Sequence, residues 1–324
     1  MAARGRLRRV KAPTYLPPKR LVTTLFLALT TLATGQPAAP VVEFLQLTDT
    51  HVTDLSRVAE PLATARKHFA NTGADLAKFL AGPTRPPGGE FILFTGDLID
   101  GFSFVESDGR RVFDQIEAFQ RAVRPSPVPV FLLPGNHDIT HYGISAAGKP
   151  SADQSFAGEA RAAWVAAMPC FRQGMYYAIE KQAGATKYVI LMLDNGYSAA
   201  GSDDKGGFRM AHEQLFWLRR QTEIHANAAI IVALHVPLGT DAGSQAIKGA
   251  LSAARNIALI LGGHNHKDQI EDWPLGATTP VQVRTAAFGY GFNNWRRIRL
   301  HPDRIEVFAT GKQDQVDKTI PLRR

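Results

Sequence analysis

Val130-Phe131-Leu132-Leu133-Pro134-Gly135-Asn136-His137-Asp138 is an apolar run that turns at a proline and a glycine. It ends in three polar side chains able to hold a metal or move a proton. The same grammar recurs along the chain. Phe44-Leu45-Gln46-Leu47 leads into Asp49-Thr50-His51, and Phe91-Ile92-Leu93-Phe94 leads into Gly96-Asp97. Ile230-Ile231-Val232-Ala233-Leu234 leads into His235, and Ala258-Leu259-Ile260-Leu261 into Gly262-Gly263-His264-Asn265-His266. Short apolar runs closed by turn residues read as buried β-strands. Ligand sites of open α/β sheets gather beyond the carboxyl ends of the strands, so these polar residues can converge. Imidazole nitrogens mixed with carboxylate oxygens suit Mn, Fe or Zn better than Ca or Mg. The set reads as the centre of a two-metal hydrolase.

Between the strand-like runs lie amphipathic stretches that predict helices over 55–80, 113–123, 154–168, 211–226 and 244–254, with a further strand over 188–193. In 76–80 and 214–218 the apolar residues recur at three-to-four spacing. Strands alternating with helices imply βαβ units. After His266 the pattern changes, and 281–284, 297–300 and 304–307 alternate in the manner of antiparallel strands. No internal repeat or linker divides 36–324, so one domain is expected there. Loops over 100–111, 139–153, 195–209 and 287–295 follow strand ends, where selectivity usually resides.

In order and spacing, DTH, GD, GNHD, H and GHNH resemble the calcineurin-like metallophosphoesterase superfamily, over about two thirds of the chain. The resemblance implies a fold of class α/β, a four-layer sandwich of two sheets flanked by helices, with the metal site at the strand carboxyl ends. It implies that Asp49, His51 and His266 hold one metal ion, that Asn136, His235 and His264 hold a second, and that Asp97 bridges them. His137 would face the substrate and assist the leaving group, with Asp138 orienting it. Two such cations clamp the attacking and leaving oxygens of an in-line phosphoryl displacement, and a bound water becomes the nucleophile. Purple acid phosphatases carry a metal-binding tyrosine three residues after the bridging aspartate; Asp100 stands there instead, so no iron–tyrosinate is expected. The motif form is closest to bacterial phosphodiesterases acting on cyclic nucleotides or glycerophosphodiesters, and GNHD departs from the GNRD of lipid A precursor hydrolases. A phosphomonoesterase or nucleotidase, a phospholipid-type phosphodiesterase and a non-catalytic metal-binding module remain as alternatives.

His141 and Asn195 are the candidates for substrate contact. His68, His212, His225 and His301 lie in polar helical or turn sequence and read as ordinary surface or packed histidines, and His141 can equally be a loop histidine. Phe102, Phe104, Phe288, Tyr290, Phe292 and Trp295 either anchor their loops or line the substrate site. Cys170 is the only cysteine, which excludes an internal disulfide and a thiolate zinc site.

The net charge of +8 is concentrated at one end. Arg4, Arg6, Arg8, Arg9, Lys11, Lys19 and Arg20 precede any acidic residue, and without these seven the remainder is near neutral. A near-neutral body has no electrostatic footprint for a nucleic-acid polymer. Residues 1–35 have the layout of an export signal: a basic start, an apolar run over 21–33, then small residues with Ala33-Thr34-Gly35 as a cleavage site. The expectation is a periplasmic or secreted protein; an uncleaved segment would make it an N-terminally anchored one.

Overall fold

The computed structural model describes residues 40–82, 89–198 and 207–322. The expected export segment and much of the 195–209 loop lie outside these residues. Ala39–Arg324 form one compact unit. Its first part contains β1 (Val42–Leu47), α1 (Leu62–Arg66), α2 (Thr72–Ala81), β2 (Phe91–Thr95), β3 (Ser103–Val105), β4 (Arg111–Val112), α3 (Gln115–Val123) and β5 (Val130–Leu133). Then come β6 (His141–Ile144), β7 (Pro150–Asp153), α4 (Ala157–Ala167), β8 (Tyr177–Ala183), β9 (Thr186–Met192), α5 (His212–Ile224) and β10 (Ala229–Ala233). The chain continues through α6 (Ala242–Leu251), β11 (Ile257–Gly262), β12 (Gln269–Asp272), β13 (Val281–Arg284), β14 (Trp295–Leu300), β15 (Arg304–Phe308) and β16 (Val316–Pro321).

Two six-stranded sheets dominate, in the orders β16-β15-β14-β1-β2-β5 and β12-β13-β11-β10-β9-β8. In the first, β1, β2 and β5 run parallel while β14 pairs antiparallel with β1. In the second, β9, β10, β11 and β13 run parallel, with β8 and β12 antiparallel at the edges. Successive strand residues point to opposite faces, and both faces are buried here, which is why the strands read as nearly continuous apolar runs. Phe44, Leu93, Ile190, Ile231 and Leu259 fill the space between the sheets. Leu45, Ile92 and Phe94 face outward onto Leu76 of α2, Phe119 of α3 and Trp164 of α4. Leu191, Val232 and Ile260 do the same for Leu218 of α5 and Ile247 of α6. The result is helices, sheet, sheet, helices, the four-layer α/β sandwich expected.

Three expectations need correction. The helix predicted over 55–80 is broken: Val58 bridges to Glu106, Pro61 precedes α1, and a single 3-10 turn at Lys67–Phe69 separates α1 from α2. Pro61 lacks the N–H that a continuous helix would need there. The segments 100–111 and 139–153 are not simple loops. They pair into a small third sheet, β4-β3-β6-β7, with Phe104 and Tyr142 packed on Val58 and Leu62 beneath it. Val281–Arg284 alternates as read but joins β11 in parallel; its antiparallel partner is β12.

One buried polar side chain ties the two large sheets together near their common edge. Gln46 of β1 donates from Nε2 to Thr95 Oγ1 at 3.1 Å and to the Gly262 carbonyl at 3.2 Å, and its Oε1 accepts from Thr285 Oγ1 at 3.0 Å. Gln46→Leu would leave the buried Thr285 hydroxyl without its partner and remove a donor from Thr95 and the Gly262 carbonyl, which costs about 1–3 kcal/mol. A denaturant titration should therefore place its midpoint clearly below that of the unaltered protein with the slope unchanged; an unchanged midpoint would contradict this role.

Candidate metal centre

The parallel strands deliver their carboxyl ends to one edge, where the five motifs meet. Asp49, His51, Asp97 and His266 gather as one group of potential ligands, and Asp97, His235 and His264 as another. Asn136 joins the second group, its Oδ1 3.0 Å from both His235 Nε2 and His264 Nδ1. His51 Nε2 lies 3.3 Å from His266 Nε2, and His266 Nε2 lies 3.2 Å from Asp49 Oδ1. Metal–ligand bonds of about 2.0–2.2 Å give neighbouring ligand atoms separations of about 3 Å, so these spacings fit a bound cation. Two imidazole nitrogens facing each other in a buried site need a proton or a cation between them, and the donor set suits the latter.

Asp97 belongs to both groups through a single oxygen. Its Oδ1 accepts the His137 backbone N–H at 2.9 Å. Its Oδ2 is left facing His235 Nε2 at 3.1 Å and His51 Nε2 at 3.9 Å. Close packing around this carboxylate explains two glycines. A side chain at Gly135 would overlap Asp97 itself, and one at Gly96, whose φ is 87°, would run into the His235 ring.

The backbone is strained where the ligands are. Five non-glycine residues adopt positive φ among the described residues: Asp49 (51°), His51 (45°), Asp97 (47°), His264 (67°) and His266 (56°). All five are candidate ligands. Left-handed backbone at a non-glycine residue costs on the order of 1 kcal/mol and persists only where the surroundings enforce it. Here Asp49 N–H is held by the Gly96 carbonyl, His51 N–H by the Asp97 carbonyl, and His264 N–H by the Asp49 carboxylate.

A contact on the far ring nitrogen fixes the tautomer of His235. The Thr95 carbonyl lies 2.9 Å from His235 Nδ1, so that nitrogen carries the proton and Nε2 is free to ligate. Asp100 Oδ1 lies 3.3 Å from His51 Nδ1, a charge contact behind that ring without hydrogen-bond geometry. Asp100 thus stands behind the candidate ligand, at the position where a tyrosine ligand would stand in purple acid phosphatases. Burial would pull His235 below the ordinary imidazole range, but the Asp97 carboxylate beside it holds it up at about 9. Burial and the His235 charge bring His264 down to about 4.

His137 joins neither of these two groups, although with His51 and Asp100 it forms a third cluster of potential ligand atoms. The Asp100 carbonyl accepts from its Nδ1–H at 2.9 Å, and Tyr142 Oη lies 3.0 Å from the same nitrogen. Nε2 is thereby turned toward the ligands, 4.0 Å from Asp97 Oδ2. Asp138, expected to orient His137, does something else: its carboxylate accepts backbone N–H groups of Leu98, Ile99 and Gly135. It clamps two loops together, and burial pushes its carboxyl above the usual range. Asn195 also leaves the substrate list. It is buried, accepts the N–H groups of His235 and Val236, and donates to the Val236 carbonyl, so its amide shapes the strand end. His141 sits on β6 with Nδ1 2.9 Å from Ser103 Oγ, outside the ligand groups.

A model of calcineurin-like phosphoesterases matches residues 42–268, which include every motif described above. The chain belongs to the calcineurin-like phosphoesterase family. It is accordingly a metal-dependent phosphoesterase, of a family that works with dinuclear metal centres. Among solved structures, a dimetal phosphatase from Danio rerio shares the fold with a TM-score of 0.59 at 14% identity, covering 88% of this chain and 100% of its own. A purple acid phosphatase from yellow lupin aligns at a TM-score of 0.49 and 13% identity, over 87% of this chain and 53% of its own. No curated protein matches this phosphoesterase in sequence.

Reasoning from the sequence missed Arg66, Tyr142 as a partner of His137, and the positive role of Asp100. Arg66 Nη1 lies 3.3 Å from Asp100 Oδ1 and its guanidinium lies 4.2 Å from the centre of the Tyr142 ring. The one available signal was Asp100 itself, a carboxylate three residues from Asp97.

Metal uptake should displace protons. Because His235 is protonated in the metal-free protein up to about pH 9, loading below that pH must expel its proton, and apparent affinity must rise as pH rises toward that value. Calorimetric loading in buffers of different ionisation enthalpy measures the release. A heat independent of the buffer would contradict the pairing of His235 with Asp97.

Proposed function

We propose that this chain hydrolyses small-molecule phosphodiesters, with metal ions held by Asp49, His51, His266 and Asp97 on one side and by Asp97, Asn136, His235 and His264 on the other. The observation that carries the reading is Asp97 Oδ2, one buried oxygen shared by both ligand groups. When bound, two ions of the Mn, Fe or Zn type supply Lewis acidity at the phosphoryl oxygens and lower the pKa of a water to near neutrality. The protein's own part is geometric. Oδ1 of Asp97 is occupied by a backbone N–H, which keeps Oδ2 in place between the groups. His137, turned by the Asp100 carbonyl, presents Nε2 toward the same space, and in its protonated form that N–H is available to the departing oxygen.

Preference for a diester is supported by the rim. Tyr290 is 59% exposed and Phe292 48% exposed on one turn, and the Tyr290 ring centre lies 5.1 Å from that of His266. A second ester substituent, which a monoester lacks, finds apolar surface there. Phe288 and Trp295 of the same segment are buried in the core and act as anchors. Export is proposed on the basic and apolar N-terminal sequence; among the described residues no helix is long and apolar enough to cross a membrane.

The metal-loaded protein is expected to hydrolyse bis(p-nitrophenyl) phosphate in preference to p-nitrophenyl phosphate and to lose both activities on chelation. Preference for the monoester would replace this reading by a phosphatase or nucleotidase, and silence on every phosphoester would end it. Asp97→Ala should bind neither ion by elemental analysis. His137→Ala should keep its metal while turnover falls by about 10²–10⁴-fold; loss of metal from that variant would overturn the role assigned to His137.

A further inference from the structure

We infer that Arg66 is a specificity-determining residue that selects substrates whose leaving group carries a negative charge. The inference rests on the phosphoester reading of the metal centre and adds a second anion site to it. Arg66 closes α1 and reaches back to the centre, where its Nη1 lies 3.3 Å from Asp100 Oδ1. That carboxylate also stands 3.6 Å from His137 Nδ1, so the guanidinium and the imidazole that faces the leaving oxygen share one anchor. The guanidinium lies over the Tyr142 ring, and the Tyr142 hydroxyl in turn meets His137 Nδ1. Arg66 is thus placed on the His137 side of the metal centre.

The chemistry of the group decides what it can recognise. A guanidinium has five N–H donors in a rigid fork and no acceptor. Asp100 and the Tyr142 side chain both engage the guanidinium, and the 20% of the side chain that remains exposed is the part a ligand can reach. Stacking on Tyr142 and the ion pair to Asp100 hold the fork in one orientation before substrate arrives, which reduces the entropy lost on binding. The turn that follows Arg66 also carries aromatic contacts. Tyr290 stacks on His68 with ring centres 6.0 Å apart and stands beside His266. A carboxylate or second phosphate attached to the leaving alcohol would meet a pre-oriented cation there, while the scissile phosphoryl group stays with the metal ligands.

The test uses two non-hydrolysable ligands that differ by one carboxylate, phenylphosphonate and p-carboxyphenylphosphonate, titrated into the metal-loaded protein by calorimetry. The carboxylate-bearing ligand should bind more tightly. Arg66→Gln should lose about tenfold or more of its affinity for that ligand, as expected for a lost charged hydrogen bond, with phenylphosphonate affinity and metal content unchanged. Arg66→Lys should recover part of the difference. Equal weakening for both ligands would mean that Arg66 acts only by positioning Asp100 and His137, and would overturn the inference. So would a wild-type protein that does not distinguish the two. Hydrolysis of bis(p-nitrophenyl) phosphate by the same preparations separates the two readings. Activity without discrimination refutes the Arg66 site alone, and discrimination without activity refutes the diesterase alone.

Discussion

The Asp97 carboxylate is buried at the edge where two sheets meet, and its charge is the constraint around which the rest of the centre is arranged. Taking a carboxylate out of water is expensive unless positive charge and hydrogen bonds replace the lost hydration. Here a backbone N–H holds one oxygen and imidazoles from three different segments face the other. Burial alone would raise its pKa, yet the His235 and His137 rings beside it keep it well below the carboxylate range. Those rings come from both sheets, so the carboxylate is satisfied only when the sandwich is assembled in register. Gln46, crossing from one sheet to the other a strand away, helps enforce that register.

A second layer of contacts turns this cluster into an ordered site. The Thr95 carbonyl behind His235 leaves that ring's candidate ligating nitrogen pointing inward, and the Asp100 carboxylate stands behind His51. The Asp138 clamp fixes the loops that carry Asp97 and Asn136 relative to one another. None of these groups needs to touch a substrate, but each determines where a ligand atom sits, and an error of an ångström there would spoil metal geometry.

Strands with both faces buried announce themselves as apolar runs, which is why the central strands, and the polar residues that gather beyond their ends, could be read directly. Short elements could not. β3, β4, β6 and β7 have two to four residues each, too few for length or alternation to mark them. The same limit applies to partnerships made through space. Asp138 adjoins His137 in the chain and invited an orienting role, whereas the groups that hold the ring are Asp100, from a different loop, and Tyr142, from the small sheet. Asn195 follows a strand as the ligands do, but its amide faces the backbone of its neighbour. Spacing identifies which residues reach the edge; it does not say which way each one turns.

Left-handed backbone at Asp49, His51, Asp97, His264 and His266 has a consequence for the history open to such a chain. The side chains needed for metal are ones that these backbone conformations disfavour, while glycine would adopt them freely. Once selection for catalysis is relaxed, replacing a ligand with glycine relieves the backbone strain at that position. A relative that has abandoned chemistry is therefore expected to carry glycines where the ligands stood. Five candidate ligands held in this backbone conformation mark positions where the side chain, and not backbone preference, decides the residue.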